Sequence, residues 1–566
     1  MTSITFRPGR VCACLLAIAA ASAADAPAKT AATATSFQPN QGNEAEMAID
    51  AQASTFWHSA WNPMAALPQA LSIDYGAPRT VASLVYQPRP GGGNGTATAF
   101  QVAVSLDGQA FTTVVADGSW PADASRKFVN FAPTQARFVR FTVTAGVGGF
   151  ASAAEVFCMP TKLDAAPPDP GRIAVVSPAY AAEIQGRTAI AIRAPGLDSA
   201  TVTCWKQGDG FGSDATVGTI ALDAEGRGSI DFPADEFPHG PICLTIAGSG
   251  GNMKDNCHLQ LFNRGGVKWK LGLPAAPAAA AGMSQLFADD FDGPLSISST
   301  DPSARYYDHK PPNGSQDFSH HRFTGFADPG NPFHQVGTWL RIRADDARNS
   351  AGLISSVRND GSGFTARAPC YFECRFIGPN ATGTWPAFWL LSDYMTQYQT
   401  TKKLDIPCDE IDIIEAYGGE GPKSPNAFDK YCVTPHAWNQ DQARKQAAMK
   451  QIRAGKGSAA FDWAPQVVAM RNIGIPSTWY QTAHTYAVKI TESDTIYYCD
   501  EIEIARHDTL AVSKTEPFFF LINLATGGGW PVDLSRYGGI ADMYVDWVRV
   551  YGSHPDDLAR LQAQKR

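Results

Sequence analysis

The chain has 566 residues, 44% of them hydrophobic and 18% charged, with a net charge of −8. That length exceeds one domain, and the apolar content suffices for several cores. The acidic balance argues against nucleic acid or an anionic membrane surface as partner, while 51 glycines, 39 prolines and 11% aromatics suit turn-rich β-structure better than helix bundles.

Residues 1–24 read as an export signal. Arg7 and Arg10 form a basic start, and "VCACLLAIAAASAA" is a short apolar core ending in the small-x-small pattern Ala21-Ser22-Ala23. The core is too short to span a bilayer, and no other apolar run approaches that length. Cleavage leaves 44 basic against 54 acidic side chains, a net charge of −10. The protein is expected to be secreted, extracellular or periplasmic, and a monomer. Cys12 and Cys14 leave with the signal, so nine cysteines remain. An odd number leaves at least one thiol unpaired in a monomer. Cys408 and Cys432 bracket an acidic strand and can brace it as a disulfide. Small buried thiols are the equal alternative. No cysteine pair has metal-ligand spacing with histidines, so no metal site is read from them.

Two Pro-rich linkers, "CMPTKLDAAPPDPGR" (158–172) and "KLGLPAAPAAAAG" (270–282), divide the rest. They leave bodies at 30–160, 172–264 and 283–553, and a polar tail at 554–566 expected to make one or two helical turns. The first body carries period-two runs such as "QALSIDY", "FQVAVSLDG" and "ARFVRFTVTA", the pattern of an antiparallel sandwich. His58, Trp61 and Arg89 lie near its loops and suit stacking on, and hydrogen bonding to, a sugar. Trp57 reads as core; Trp61 is open between core and platform. The stretches "AIDAQASTFWHSAW", "YQPRPGGGNGTATAFQVAVSLDG" and "RFVRFTV" followed by "ASAAEVF" resemble the discoidin and family 32 carbohydrate-binding modules. That resemblance implies a jelly roll, a carbohydrate ligand and a structural calcium for which Asp50 is the one candidate. The second body, about ninety residues of short strands, has the size and spacing of an immunoglobulin-like sandwich and reads as a spacer.

In the third body, "DEIDIIEAYGG" (409–419) places Glu410, Asp412 and Glu415 within six positions. On a regular strand Glu410 and Asp412 share a face and Glu415 points away. A β-bulge near Ile413 or Ile414 resets the alternation and brings all three to one surface. Two carboxyls so placed can stand about 5–5.5 Å apart, the spacing of a retaining glycosidase, and crowding pushes their pKa values apart. Upstream, "GTWPAFWLLSD" sets Trp385, Ala387 and Trp389 on one face, an aromatic surface suited to sugar rings.

"EIDIIE" resembles the E-x-D-x-x-E signature of glycoside hydrolase family 16 in its bulged form. "DDFDGPL", "CYFECRF", "GTWPAFWLL", "IYYCDEIEI" and "MYVDWVRVYG" resemble that family's other landmarks in order, across 285–553. The resemblance implies a concanavalin-like β-jelly roll with its site on a concave sheet. It makes Glu410 the nucleophile, Asp412 the assisting acid and Glu415 the general acid/base. Trp385 and Trp389 then line the donor side, and His436 stands beside the acceptor sugar. Every one of these residues lies in 283–553, so that body alone is expected to carry the activity, with no cofactor required. Three stretches depart from the family: a long link at 391–409, a polar, partly helical insertion at 439–466, and "YYCDEIEI" in place of the usual Val-Asp-Gly turn. The sequence therefore reads as an all-β, multidomain, retaining endo-glycosidase acting on β-linked polysaccharide. The alternatives are a galactan hydrolase, a transglycosylase and a non-catalytic carbohydrate-binding protein. Segments 383–393 and 406–420 hold six acids (Asp393, Asp409, Glu410, Asp412, Glu415, Glu420) and no Arg or Lys. That balance favours neutral β-1,3- or β-1,3-1,4-glucan over a sulfated galactan.

Overall fold

The computed structural model describes residues 30–50, 55–89, 93–164, 166–167, 171–206, 211–250, 253–267, 275–311, 318–393, 396, 407–419, 430–438, 453–454, 467–528 and 531–564. The export signal, much of the second linker and nearly all of the 439–466 insertion lie outside them. So do Glu420 and the basic side chains of that insertion, Arg444, Lys445, Lys450, Arg453 and Lys456, which on a polar helical pattern are expected to face water. Among the described residues no helix is long and apolar enough to cross a membrane. The chain forms two compact units, 1–167 and 168–566.

Unit 1 is built on a six-stranded antiparallel sheet whose two longest strands, Gln69–Gln87 and Lys127–Gly146, pair along most of their length. Register shifts at Asp74/Arg79 and Val81/Ser83 interrupt this ladder, and such irregularities bend long strands around a core. That core contains Trp57, Leu71, Tyr86, Phe100 and Phe141. Alternate positions of Ala97–Ser105 supply Phe100, Val102 and Val104 to it, the burial that period-two patterning dictates.

Unit 2 contains two bodies. In the immunoglobulin-like one, a three-stranded sheet (Ala174–Ser177, Arg187–Arg193, Arg227–Pro233) and a five-stranded sheet contribute to one core through Ile190, Ile192, Phe232, Val202, Leu244 and Leu259. In the other, one continuous 16-stranded sheet runs through the Asp345↔Ser350 junction. On one side of the junction lie His484–Ile490, Cys370–Ile377, Ile540–Gly552 and Trp339–Asp345. On the other lie Ser350–Ser355, Phe518–Thr526, Thr384–Ser392, Cys408–Glu415 and Lys430–Trp438. Phe372, Phe376 and Val548 from the first half pack in the same cluster as Phe388, Ile411, Ile414 and Ile522 from the second. The folded sheet is thus a jelly-roll sandwich, and the described residues are mostly β.

Two expectations change. The tail at 554–566 contains a ten-residue helix, Pro555–Gln564, longer than one or two turns and docked rather than free. Buried Asp557 accepts the Arg367 amide at 2.7 Å, and Arg560 donates to the Thr365 carbonyl at 2.9 Å. Cys408 and Cys432 do not brace the acid strand. Cys408 stands opposite Trp438 and Cys432 opposite Glu415, at the two ends of one ladder, and the two are not joined. The separation along the ladder far exceeds the reach of a disulfide.

Candidate active site

Strand Cys408–Glu415 lies between Thr384–Ser392 and Lys430–Trp438. Toward the first neighbour, Trp389 faces Asp412, Phe388 faces Ile414 and Ala387 faces Glu415. Toward the second, Asp412 faces Thr434 and Glu415 faces Cys432. Three steps along the acid strand match two along either partner, so Ile413 is the extra residue of a bulge. Ile413 and Ile414 both go into the sandwich core. The price of that bulge is one interrupted rung; its result is that Glu410, Asp412 and Glu415 share the opposite face. Asp409 points the other way, where its carboxylate accepts the Ser513 amide and hydroxyl at 2.8 and 2.7 Å.

The three acids are held by named partners. The Trp438 indole donates to Glu410 Oε2 at 2.8 Å. His436 Nε2 lies 3.2 Å from Asp412 Oδ2, and its ring stacks on Trp438 at 5.2 Å. Tyr417 and Thr434 hydroxyls donate to the two oxygens of Glu415 at 3.3 and 3.4 Å. Trp385 also favours the ionised Glu415, without a hydrogen bond of regular geometry, and its ring stacks on Tyr417 at 5.3 Å. Burial raises all three carboxyls. Glu410 is pushed up to about 7, against the pull of Trp438 and of the Lys310 ammonium. Asp412 rises well above the carboxylate range through burial and its two acidic neighbours. Glu415 rises through burial, opposed by Tyr417, Thr434 and Trp385. Such a trio cannot ionise fully; the central acid keeps its proton and can donate it to either side. Oxygen and nitrogen atoms of Glu410, Asp412 and His436 lie within 4.8 Å of one another, so these are the residues that could hold a cation.

The tryptophan strand differs in part from expectation. Trp385 borders the acids and is half-buried. Trp389 is not an open platform. It is 6% exposed, its indole donates to Asn523 Oδ1 at 2.8 Å, and Phe318 packs edge-on against it. Its neighbours Leu391, Phe519 and Leu521 make that part of the face a second apolar cluster, which requires cover. Sequence reasoning missed Trp438, Tyr417, Thr434, Asn523, Lys310 and Phe318. Trp438 and Tyr417 sit two residues beyond His436 and Glu415, so strict alternation would have found them. Asn523 is the one amide in an apolar run. Lys310 and Phe318 come from a segment about a hundred residues upstream and carry no local signal.

In unit 1, His58, Trp61 and Arg89 lie with Asn94 and Phe150. His58 is 4% exposed rather than open, with Nδ1 2.7 Å from the Ser59 carbonyl. Trp61 meets its ring edge-on at 5.1 Å and Phe150 lies against it at 5.2 Å. Burial, aided by the Arg89 charge and opposed by backbone bonds at Ser59 and Asn94, lowers the His58 pKa, so the ring is neutral near pH 7. Arg89 lies over the Phe56 ring at 4.4 Å. Trp61 is 40% exposed and belongs to the surface, whereas Trp57 is fully buried. Asp50 accepts the Thr55 hydroxyl at 2.7 Å; residues 51–54 of that loop lie outside the described set.

Residues 31–156 match the model of the F5/8 type C domain family. Unit 1 contains an F5/8 type C domain. Over 128 residues the chain is 38% identical to the "A type blood N-acetyl-alpha-D-galactosamine deacetylase" of Flavonifractor plautii, covering 22% of this chain and 16% of that protein. A longer stretch of 294 residues is 26% identical to the "Endo-1,3-1,4-beta-glycanase EglC" of Rhizobium meliloti (strain 1021), covering 48% of this chain and 53% of EglC. The chain therefore spans less than two thirds of either relative. Among solved structures, the laminarinase from Flavobacterium sp. UMI-01 aligns over 47% of this chain and 100% of its own, with 20% identity and a TM-score of 0.32.

Proposed function

We propose that unit 2 is a retaining endo-β-glycanase of glycoside hydrolase family 16, acting on β-1,3- or β-1,3-1,4-glucan, and that the F5/8 type C domain binds carbohydrate for it. The observation that carries this reading is the bulge at Ile413, which puts Glu410, Asp412 and Glu415 on one face with separate hydrogen-bond partners. The similarity to a protein named as an endo-1,3-1,4-β-glycanase supports the substrate class.

The chemistry runs in two displacements. The Glu410 carboxylate attacks the anomeric carbon while the bond to the leaving oxygen breaks, and Glu415 gives that oxygen its proton. Glu415, now ionised, takes a proton from water as the water attacks the same carbon and Glu410 leaves. Trp438 and Lys310 favour the charged Glu410 needed at the start. Asp412, keeping its proton, can donate to Glu410 as it is released. In unit 1, Trp61 offers an exposed aromatic edge and Arg89 and Asn94 offer polar groups around a neutral His58.

Lys310 is a cation that the contiguous acidic segments did not reveal, so a polysaccharide bearing anionic substituents is the second reading. The test is a panel of laminarin, mixed-linkage β-glucan, agarose, porphyran and carrageenan with product sizing. Oligosaccharides from the glucans support the proposal. Cleavage of the galactans alone overturns the substrate, and cleavage of none overturns the enzyme.

A further inference from the structure

The loop that follows strand Phe518–Thr526 touches both bodies of unit 2. At its near end, Gly528 has φ 61°, and a Cβ there would stand 2.9 Å from the Trp385 ring and 3.1 Å from Tyr417. Only glycine lets the loop lie against that aromatic stack. Further along, the Asp533 amide donates to the Thr382 carbonyl at 3.0 Å, and the Gly527 amide to Gly383 at 2.8 Å. Gly383 in turn donates to Gly418 at 3.0 Å, and Gly418 to Thr384 at 2.8 Å. Segments 382–384 and 417–418 and residues 527 and 533 are thus laced by backbone bonds, and Tyr417, inside the lacing, reaches Glu415.

The far end is seated on the immunoglobulin-like body. Arg536 donates to the Asn256 carbonyl at 2.9 Å and forms an ion pair with Asp255. Asp255 Oδ2 also accepts the Ile173 amide at 2.7 Å. The His258 amide donates to the Tyr537 hydroxyl at 3.1 Å, and the Tyr537 ring packs on Tyr180 at 5.0 Å. The Arg536 side chain is 5% exposed, so this is a buried, charge-assisted anchor rather than a rim contact. Burial and the Arg536 charge push His258 down to about 3, which keeps its ring neutral beside the guanidinium.

We infer that Arg536 and Tyr537 are positioning residues: by gripping the immunoglobulin-like body they fix residues 531–539 and, through the Asp533–Thr382 bond and the backbone lacing beyond it, hold Tyr417 against Glu415. The body read from sequence as a spacer thereby becomes part of the machinery. This rests on the hydrolase reading for its kinetic consequence but not for its geometry.

The experiment uses the full chain and compares Arg536→Met, Tyr537→Phe, Tyr417→Phe, the double variant Arg536→Met/Tyr417→Phe and a control, Trp339→Phe. Trp339 lies at the same junction, beside Phe262 and Tyr544, but off the loop. Glu410, Asp412, Tyr417, Cys432, Thr434 and Trp385 surround Glu415. Among them Tyr417 donates to its ionised form, so releasing Tyr417 moves the alkaline limb of the pH–rate profile upward. The expected result is that Arg536→Met lowers kcat about tenfold with a smaller change in KM and shifts that limb. Tyr537→Phe, which removes one hydroxyl, gives a smaller change in the same direction. The double variant shifts no further than Tyr417→Phe alone, and Trp339→Phe leaves the limb in place. An unmoved limb in a folded Arg536→Met or Tyr537→Phe protein, or full additivity with Tyr417→Phe, overturns the inference. If the unaltered chain hydrolyses nothing, hydrogen exchange decides: faster exchange of the Gly383 and Gly418 amides in Tyr537→Phe supports the anchor, and unchanged exchange overturns it.

Discussion

Trp438 donates its indole N–H to Glu410 at 2.8 Å although its backbone partner in the ladder is Cys408, two residues earlier. The side chain leans along the strand, stacked on His436, to reach the acid beside its own rung. Indole is a donor with no acceptor capacity, so this contact favours only the ionised carboxylate. Glu410 is pushed up to about 7 even with that help.

Removing the donor should therefore move the acid limb of activity. In Trp438→Phe the ring survives and the N–H does not, so the Glu410 pKa rises further and the ascending limb shifts to higher pH by about one unit. Lys310→Met should shift it the same way, since a nearby cation also favours the charged form. A kcat/KM profile from pH 4 to 9 measures both. A downward shift in either variant contradicts the nucleophile assignment.

The catalytic roles separate chemically. Glu410→Gln and Glu415→Gln should each lose several orders of magnitude in rate while keeping their circular dichroism spectra. Azide needs no general base, so it should restore turnover to the Glu415 variant and give a β-glycosyl azide. A β-azide from the Glu410 variant instead would exchange the two roles. Proton NMR of early product from the unaltered protein should show the β-anomer; an α-anomer would end the retaining mechanism.

How much of this was legible depends on the range of the interaction. The odd spacing between Glu410 and Glu415, with two adjacent isoleucines between, required a bulge because period two is a local property of the backbone, and Ile413 is the bulged residue. The core status of Trp57 followed from the same pattern. Trp389 was misjudged as open because its cover, Phe318, arrives from a segment seventy residues upstream and leaves no trace in the strand itself. Lys310 escaped for the same reason, so the charge balance read from contiguous segments missed a cation of the site. Asp409 enters the charge balance read from segment 406–420, yet alternation alone sets it on the other face from Glu410, where Ser513 satisfies it. The docking of the C-terminal helix depends on Asp557 meeting the Arg367 amide, a contact across 190 residues that no periodicity encodes.

Stability of unit 2 should respond sharply at a pair remote from the acids. Glu373 and Arg549 form an ion pair with side chains 1% and 2% exposed, and burial pushes Glu373 up to about 7. Arg549→Met leaves that carboxyl buried and unpaired, at a cost of about 3–5 kcal/mol. The folded-state pKa, already above the unfolded value, rises further when the arginine is lost. The protonated form is then favoured in the fold up to a higher pH than in the unaltered protein, so the penalty of the substitution grows as pH rises above about 7. Denaturant melts at pH 5 and pH 8 check the sign: a larger loss at pH 5 refutes it.

For unit 1 the expected ligand contacts are specific. Trp61→Ala and Arg89→Ala should each weaken carbohydrate binding at least tenfold without lowering thermal stability, since Trp61 is exposed and Arg89 lies at a loop. His58→Ala should cost both binding and stability, because its buried ring packs between Trp61 and Phe150. Burial lowers the His58 pKa, so its ring should be neutral and binding flat between pH 7 and 8. Isothermal titration against a panel of mono- and disaccharides measures affinity, and a binding curve that falls as pH passes from 8 to 7 would show that His58 charges.

The last prediction concerns where unit 2 can be cut. Sequence reading expected residues 283–553 to work alone because every catalytic candidate lies there. Yet Phe262 of the immunoglobulin-like body shares a buried cluster with Val336, Trp339, Ile377 and Tyr544. His258 packs on Tyr480 at 4.8 Å, and Arg536 would lose Asp255. Cutting at 283 bares these aromatics, and each large apolar side chain returned to water costs about 1.5–3 kcal/mol. That sum is comparable with the whole stability of an ordinary domain. A fragment of 168–566 should therefore melt cooperatively and hydrolyse soluble glucan at the rate of the full chain, losing activity mainly on insoluble polymer, where the F5/8 type C domain supplies effective concentration. A fragment of 283–553 should aggregate, or melt well below it. Equal melting temperatures and equal rates on soluble glucan for the two fragments would show that the immunoglobulin-like body is a spacer after all.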